Sequence, residues 1–451
     1  MFEMKGKYTN AKVMIDDVDK ITVGQITKMI NNPVFTNPVS IMPDCHAGKG
    51  CVVGFTMPLG ERVIPNVIGV DIGCGMLSAN LGPDIFKNAS MEEINNKIKQ
   101  TVPMGFSAHQ TSLVSHTEMI AFLREVEHQI AKKMELSMDK YSTDLDNFLT
   151  SRGMDHTRFY NSLGSLGGGN HFIEFGKDLN EDIWVTIHTG SRNFGLKVAT
   201  YHQNKAVKYL QDKRKDVDDN IFAKIINECN TNNTRHLIEK KLRKVKEEKQ
   251  LDNVYAEMEY LEGINLDLYL MDMLLAQSYA KWNRQLILKQ ILSCFDEHVN
   301  NNGCLFHQNF LDLSYTKKNT HIKTKEIIET VHNCIDFNDM IIRKGAISGY
   351  EGKKQIIPFN MRDGILLVEG KSNPEWNYSL PHGAGRVLSR SQAKRELVIE
   401  DVEEQMEGIV TTHIPLDEAP DAYKDCDIIE ICIEPNATVV NRLKPIINIK
   451  G

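Results

Sequence analysis

The chain has 451 residues, 41% of them apolar and 25% charged, with a formal net charge of −7. These values describe an ordinary globular protein with a large core; length alone allows about three domains. The acidic balance excludes a global basic footprint for nucleic acid, and no run of 18 or more apolar residues suggests a membrane span.

The polar stretch Met1–Asn10 lacks the apolar core of a signal peptide. Together with nine cysteines and no CxxC pair, this points to a reducing, cytoplasmic setting. Lys12–Ile15 reads as a short strand, and Ile41–Gly54, rich in glycine and proline, as loop. Val63–Val70 reads as a buried strand. Ser90, followed by Glu92 and Glu93, predicts a capped helix to Val102, and apolar residues at helical spacing predict another over Glu118–Met138.

The middle is read as helical. Phe194–Leu210, Val217–Cys229 and Thr234–Gln250 are separate expectations, the last two divided by the polar break Asn230–Asn233. The alternating charges of Glu239–Lys249 fit a solvated face better than an RNA contact. Leu266–Leu292 predicts a long buried helix. Strands are expected at Lys354–Pro358, Gly364–Val368, Gly408–Thr412, Ile428–Ile433 and Thr438–Val440, with a helix over Lys394–Glu407. No linker marks a domain boundary. The pattern predicts one compact α+β fold over residues 1–451, with a helical insertion near 195–250.

Five segments carry chemistry. Val70–Met76 presents Asp71 and Cys74 in a glycine-rich turn, a hard oxygen and a soft sulfur ligand side by side. Leu166–Glu174 sets three glycines before Asn170 and His171. Trp184–Arg192 ends a strand at His188 and then supplies Arg192, whose planar fork suits phosphate. Val331-His332-Asn333 and Pro381–Arg386 add two more histidines. Each histidine taken singly also fits a turn or a satisfied core residue. Taken together, carboxylate, thiolate and imidazole suit zinc, manganese or iron, and a shared thiolate suits a two-metal clamp on a phosphoryl group. A histidine outside the ligand shell is free to attack phosphorus. His382, followed by Gly383, Ala384 and Gly385 with Arg386 nearby, fits that role best.

The blocks MPDCHAGKG at Met42, GVDIGCGM at Gly69, GGGNHFIE at Gly167, HTGSRNFG at His188, DMLLAQSYAKWNRQ at Asp272, VHNC at Val331, HGAGRVLSR at His382, AYKD at Ala422 and the terminal KG closely resemble the RtcB family of GTP-dependent RNA-splicing ligases. The resemblance runs from about Met42 to the end. It implies joining of RNA 2′,3′-cyclic-phosphate or 3′-phosphate ends to 5′-hydroxyl ends, with GTP and two manganese ions. In the implied sequence a histidine is guanylylated, GMP passes to the RNA 3′-phosphate, and the 5′-hydroxyl displaces it; a cyclic phosphate is first opened at the metal centre.

By motif, the resemblance makes His382 the guanylylated nucleophile. Asp71, Cys74 and His171 would hold one manganese, and Cys74, His188 and His332 the other. Asn170, His171, Phe172, Ile173, Glu174, His332, Asn333, Pro358, Phe359, Asn360, Met361, His382, Gly383, Ala384 and Gly385 would surround the nucleotide, with Tyr423 and Lys450 at the guanine. Asp44 would support the site from behind. Many members carry Gly-Ser where this chain has Phe359-Asn360, and a later serine where it has Gly364-Ile365, so serine contacts to ribose or base are not carried over. Cys45 and His46 receive no role.

Arg192, Arg284, Arg386 and Arg390 are candidate RNA or phosphate contacts; Arg284 fits a buried ion pair equally well. A monomer is expected, with an activating protein left open. Two other readings share these residues. One is a dinuclear metal phosphodiesterase or phosphatase on RNA ends, which would need neither GTP nor His382. The other is a catalytically silent RNA- or ribosome-associated factor.

Overall fold

The computed structural model describes residues 1–135, 141–232, 234–250, 257–295, 324–411 and 413–451. A mixed sheet and a wholly antiparallel one are joined through one long helix into a single α+β fold. The first sheet runs Phe2–Lys5, Asn10–Val13, Val39–His46, Val53–Pro58, Ile341–Lys344 and Asn333–Asp336 in spatial order. The second runs Ile327–Val331, Gly75–Gly82, Ile183–Thr189, Phe172–Lys177, Ala437–Lys450, Ile365–Gly370 and Lys354–Pro358.

The helix Ile264–Ser293 is buried along most of its faces, with Asp272, Asn283 and Arg284 enclosed among its apolar residues, so it is surrounded by protein. Its first half packs in the large core with the helix His116–Met134 and the first sheet. Its last turns, with Ile287, Leu288, Ile291 and Leu292, pack under the second sheet beside the helix Met91–Thr101. Both shorter helices begin with a capping box, Ser90 with Glu93 and Ser115 with Glu118. Among the described residues no helix is long and apolar enough to cross a membrane.

Several expectations are corrected. Val63–Val70 is not a strand: only Arg62–Val63 pairs, and Pro65 then starts a helical turn over Pro65–Ile68 that ends at Gly69. Ile41–Gly54 holds most of the strand Val39–His46. The break expected between Leu210 and Val217 is absent, and one helix spans Arg192–Thr231. Ile428–Ile433 lies in the helix Cys426–Ile433, capped by Asp425, which buries Ile429 and Ile433. Lys394–Glu407 is two helices, Arg390–Glu396 and Ile399–Gln405. Gly408–Thr412 supplies only an isolated bridge at Val410, and Thr412 lies outside the described residues, as does Met138. The last strand is longer than expected, Ala437–Lys450.

Candidate active site

Strand register gathers the ligand residues. In the second sheet Met76 pairs with His188, and His188 pairs with Phe172. Val331 pairs with Gly75 on the other side. Cys74, His171, His188 and His332 therefore all fall at one end of three adjacent ladders. The backbone ties this end together: Gly73 donates to the Asn333 carbonyl at 2.8 Å, and His332 donates to the Cys74 carbonyl at 2.9 Å. Below it, buried Arg284 donates to the carbonyls of Gly73 at 2.9 Å and Thr189 at 3.0 Å and pairs with Glu329. Arg284 is thus a structural brace. Gly190 leaves room for the Asp71 carboxylate, which a Cβ there would displace.

The side chains converge. Cys74 Sγ lies 3.5 Å from His171 Nε2 and 3.3 Å from His188 Nε2. His188 Nε2 lies 3.3 Å from His332 Nε2, and His171 Nε2 lies 3.0 Å from Asp71 Oδ2. His188 Nδ1 faces the Asn170 carbonyl at 3.0 Å, so it carries the proton and the Nε2 lone pair points into the cluster. Burial holds His188 and His332 well below the usual imidazole range. Burial and then the neighbouring Asp71 push the Cys74 thiol up. Burial opposes charge on Asp71, but the hydrogen bond and charge of His171 outweigh it and keep the carboxyl below its ordinary range. Neutral imidazoles facing one another and a buried thiol beside a carboxylate fit a divalent cation, which alone would make the thiolate stable there. Cys74 lies between Asp71/His171 and His188/His332, a donor set able to serve two ions.

His382 follows the short strand Ser379–Pro381 and stands against His332, ring centroids 4.9 Å apart. Asp44 Oδ2 accepts from both the His382 backbone amide, at 3.1 Å, and its Nδ1, at 2.7 Å. Gly385, at φ 76°, lets this loop lie on the Asp44 carbonyl where a Cβ would collide.

A cavity of about 250 Å³ opens beside His382 and His188. Asn170, Phe172, Glu174, Pro358, Phe359, Asn360, Met361, Gly383, Ala384, Gly385, Arg386, Tyr423 and Lys450 line it. Ile173 points into the apolar core instead, and Asn333 accepts from the Gly345 amide; neither lines the cavity. Lys450 reaches the cavity because it pairs with Phe172 in the sheet. The Asn360 side chain is spent on its own turn: its Oδ1 accepts from the amides of Arg362 and Asp363, and its Nδ2 donates to Asp363. Burial pushes the Glu174 carboxyl up to about 8, against the opposing Asn448 hydrogen bond.

A family model described as tRNA-splicing ligase RtcB matches residues 25–451. The chain belongs to the RtcB family. It is 27% identical over 446 residues to the RNA-splicing ligase RtcB of Escherichia coli (strain K12), covering 95% of this chain and 93% of that one. It is 26% identical over 506 residues to the tRNA-splicing ligase RtcB of Nanoarchaeum equitans, covering 98% and 94%. An RNA-splicing ligase RtcB homolog of Entamoeba histolytica is 25% identical over 474 residues, covering 91% and 80%.

Within this RtcB chain, sequence reasoning missed four cavity residues, His46, Met76, Glu418 and Asn448, and named Arg390 only as a candidate RNA or phosphate contact. Glu418 is buried and collects Arg390 at 2.6 Å, Arg386 at 3.3 Å and Lys450 at 3.5 Å, with Tyr423 donating to it at 2.6 Å. Only its place five residues before Tyr423 hinted at this. His46 directs Nδ1 at the Asp44 carbonyl at 3.0 Å, and burial lowers its pKa to about 4. Arg192 gives its guanidinium to Ser165 and the Gly105 carbonyl.

Proposed function

We propose that this RtcB chain is an RNA ligase joining 3′-phosphate or 2′,3′-cyclic-phosphate ends to 5′-hydroxyl ends through a guanylylated His382, using GTP and two manganese ions. The observation that carries this reading is the Asp44–His382 contact. A carboxylate fixed on Nδ1 holds the proton there and leaves Nε2 as the nucleophilic lone pair. Nε2 would attack the α-phosphorus of GTP, forming a P–N bond as pyrophosphate leaves. The P–N bond would break as an RNA 3′-phosphate oxygen takes the GMP. The 5′-hydroxyl oxygen would then attack the 3′-phosphorus and release GMP.

Asp71, Cys74 and His171 would hold one ion, and Cys74, His188 and His332 the other. Bound divalent ions would supply Lewis-acid stabilisation of charge on the phosphoryl oxygens. Glu174, Asn170 and the 358–361 wall would hold the nucleotide, with Lys450 and Tyr423 at the base and Arg386 near phosphate. The whole chain would act as one catalytic unit, monomeric, with residues 195–250 as an insertion. The eight cysteines that can be described are all free, which supports a cytoplasmic setting.

The test is incubation with manganese and α-labelled GTP. Label should appear on the chain and vanish in His382→Ala. A metal-dependent phosphodiesterase would give no label and would survive that substitution.

A further inference from the structure

The large aromatic side chain of Phe106 is 96% exposed. Isolated exposed apolar residues are common and need no explanation. Phe106 differs in how rigidly it is held and in what lies beneath it. It sits in the turn Met104–Ser107, closed by the Ser107 amide on the Met104 carbonyl at 3.1 Å. Gly105, at φ 62°, lets that turn form and donates to the Gly167 carbonyl at 2.9 Å. Two guanidinium groups hold the turn from below: Arg158 donates to the Phe106 carbonyl at 2.7 Å and Arg192 to the Gly105 carbonyl at 3.0 Å. Neither arginine lies within ion-pair distance of a carboxylate among the described residues, but the charge of Asp71 acts on Arg192 and leaves Arg158 as the unpartnered cation.

This turn is one contact away from the ligand cluster. The glycine that Gly105 leans on, Gly167, packs so tightly that any side chain on it would strike both the Arg192 guanidinium and the His171 ring. The line therefore runs from Phe106 through Arg192 to His171. A solvent-facing ring on a turn braced by two guanidinium groups, of which Arg158 has no carboxylate partner among the described residues, is the composition of a single-stranded nucleic-acid platform: the ring stacks a base and the Arg158 cation attracts the backbone. Because the turn is already rigid, stacking on it orders little that was mobile.

We propose that Phe106 is a base-stacking residue that seats an unpaired terminal base of the RNA, so that the nucleotide's phosphate or hydroxyl end lies toward His171 and the rest of the cluster. The proposal rests on the RNA-ligase reading above. It names a positioning residue and assigns Phe106 no part in bond making.

The test uses the full-length chain with manganese and short single-stranded RNAs carrying 2-aminopurine at one end. One RNA bears the probe on a 3′-phosphorylated terminal nucleotide, the other on a 5′-hydroxyl terminal nucleotide. Stacking should quench the probe in at least one of them, and which one identifies the strand that is seated. Phe106→Ala should abolish the quench and weaken binding of that RNA roughly 5- to 100-fold. Phe106→Tyr should restore both, whereas Phe106→Leu, apolar but without a ring, should not. Unchanged thermal unfolding of the variants confirms that the fold is intact, as expected for so exposed a site. Absence of quench with both RNAs in the wild-type chain, or wild-type affinity in Phe106→Ala, overturns the proposal. Quenching in a chain that takes no label from GTP would instead sink the ligation reading and leave the platform standing.

Discussion

One oxygen of Asp44 holds His382 twice, accepting from its backbone amide at 3.1 Å and from its ring Nδ1 at 2.7 Å. The first bond places the residue and the second selects the tautomer. Asp44 itself is fully buried, so water does not compete for that oxygen. Asp44→Asn keeps the size and one acceptor, but its amide can turn an N–H toward the ring and put the proton on Nε2. The single-turnover rate of label transfer from α-labelled GTP should fall about 100-fold or more, with little change in thermal stability. A wild-type rate in Asp44→Asn would show that tautomer control does not limit the step.

Cys74 stands between two ligand pairs, and its neighbours do not share that position. Cys74→Ala should therefore weaken both of the proposed manganese sites, whereas Asp71→Ala should weaken one. Titration calorimetry or metal analysis after desalting separates the cases: wild type holds two ions, Asp71→Ala about one, and Cys74→Ala close to none. Equal loss in both variants would mean that the thiol is not shared.

The ligand cluster was legible in the sequence because every donor except His332 sits near glycines in a short motif, and strand register then did the gathering. The cation-lined end of the cavity was less legible. Glu418 and Arg390 belong to separate helical segments, and only tertiary packing brings them to Lys450. The strand expected at Ile428–Ile433 failed for a local reason. Its apolar run resembles a buried strand, yet Asp425 caps a helix and Ile429 and Ile433 lie one turn apart, inward, while Ile428 and Ile431 face solvent. Val63–Val70 failed because Pro65, read as part of an apolar run, is a helix-starting residue.

Glu174 gives a pH prediction with a definite sign. Burial raises its folded-state pKa to about 8, whereas an exposed glutamate titrates near 4.3. Between those values the folded chain holds a proton that the unfolded chain has lost. Stability from this group therefore falls as pH rises through that window and levels off above about 8. The slope is at most about 1.4 kcal/mol per pH unit. Glu174→Gln, uncharged throughout, should remove that component: denaturant midpoints at pH 6 and pH 8.5 should differ less in the variant than in wild type. An identical difference in both would place the titration elsewhere.

Arg284 offers the sharpest test of how the ligand cluster is supported. Its guanidinium is completely buried and bonds the carbonyls of Gly73 and Thr189, the residues next to Cys74 and His188. Its charge is met by Glu329, with Lys281 more distant at 3.6 Å. Arg284→Met keeps much of the apolar bulk but strands Glu329 and two carbonyls, which should cost about 3–5 kcal/mol in urea denaturation. Arg284→Met combined with Glu329→Gln should cost less than the single change, because the carboxylate left without its guanidinium is gone and the Lys281 ammonium it also met is partly open to water. Manganese affinity should stay low in the double variant all the same, since the two carbonyls that fix the ligand-bearing backbone are still unheld. Restored stability together with restored metal binding would mean that the arginine serves only the ion pair and not the geometry of the cluster.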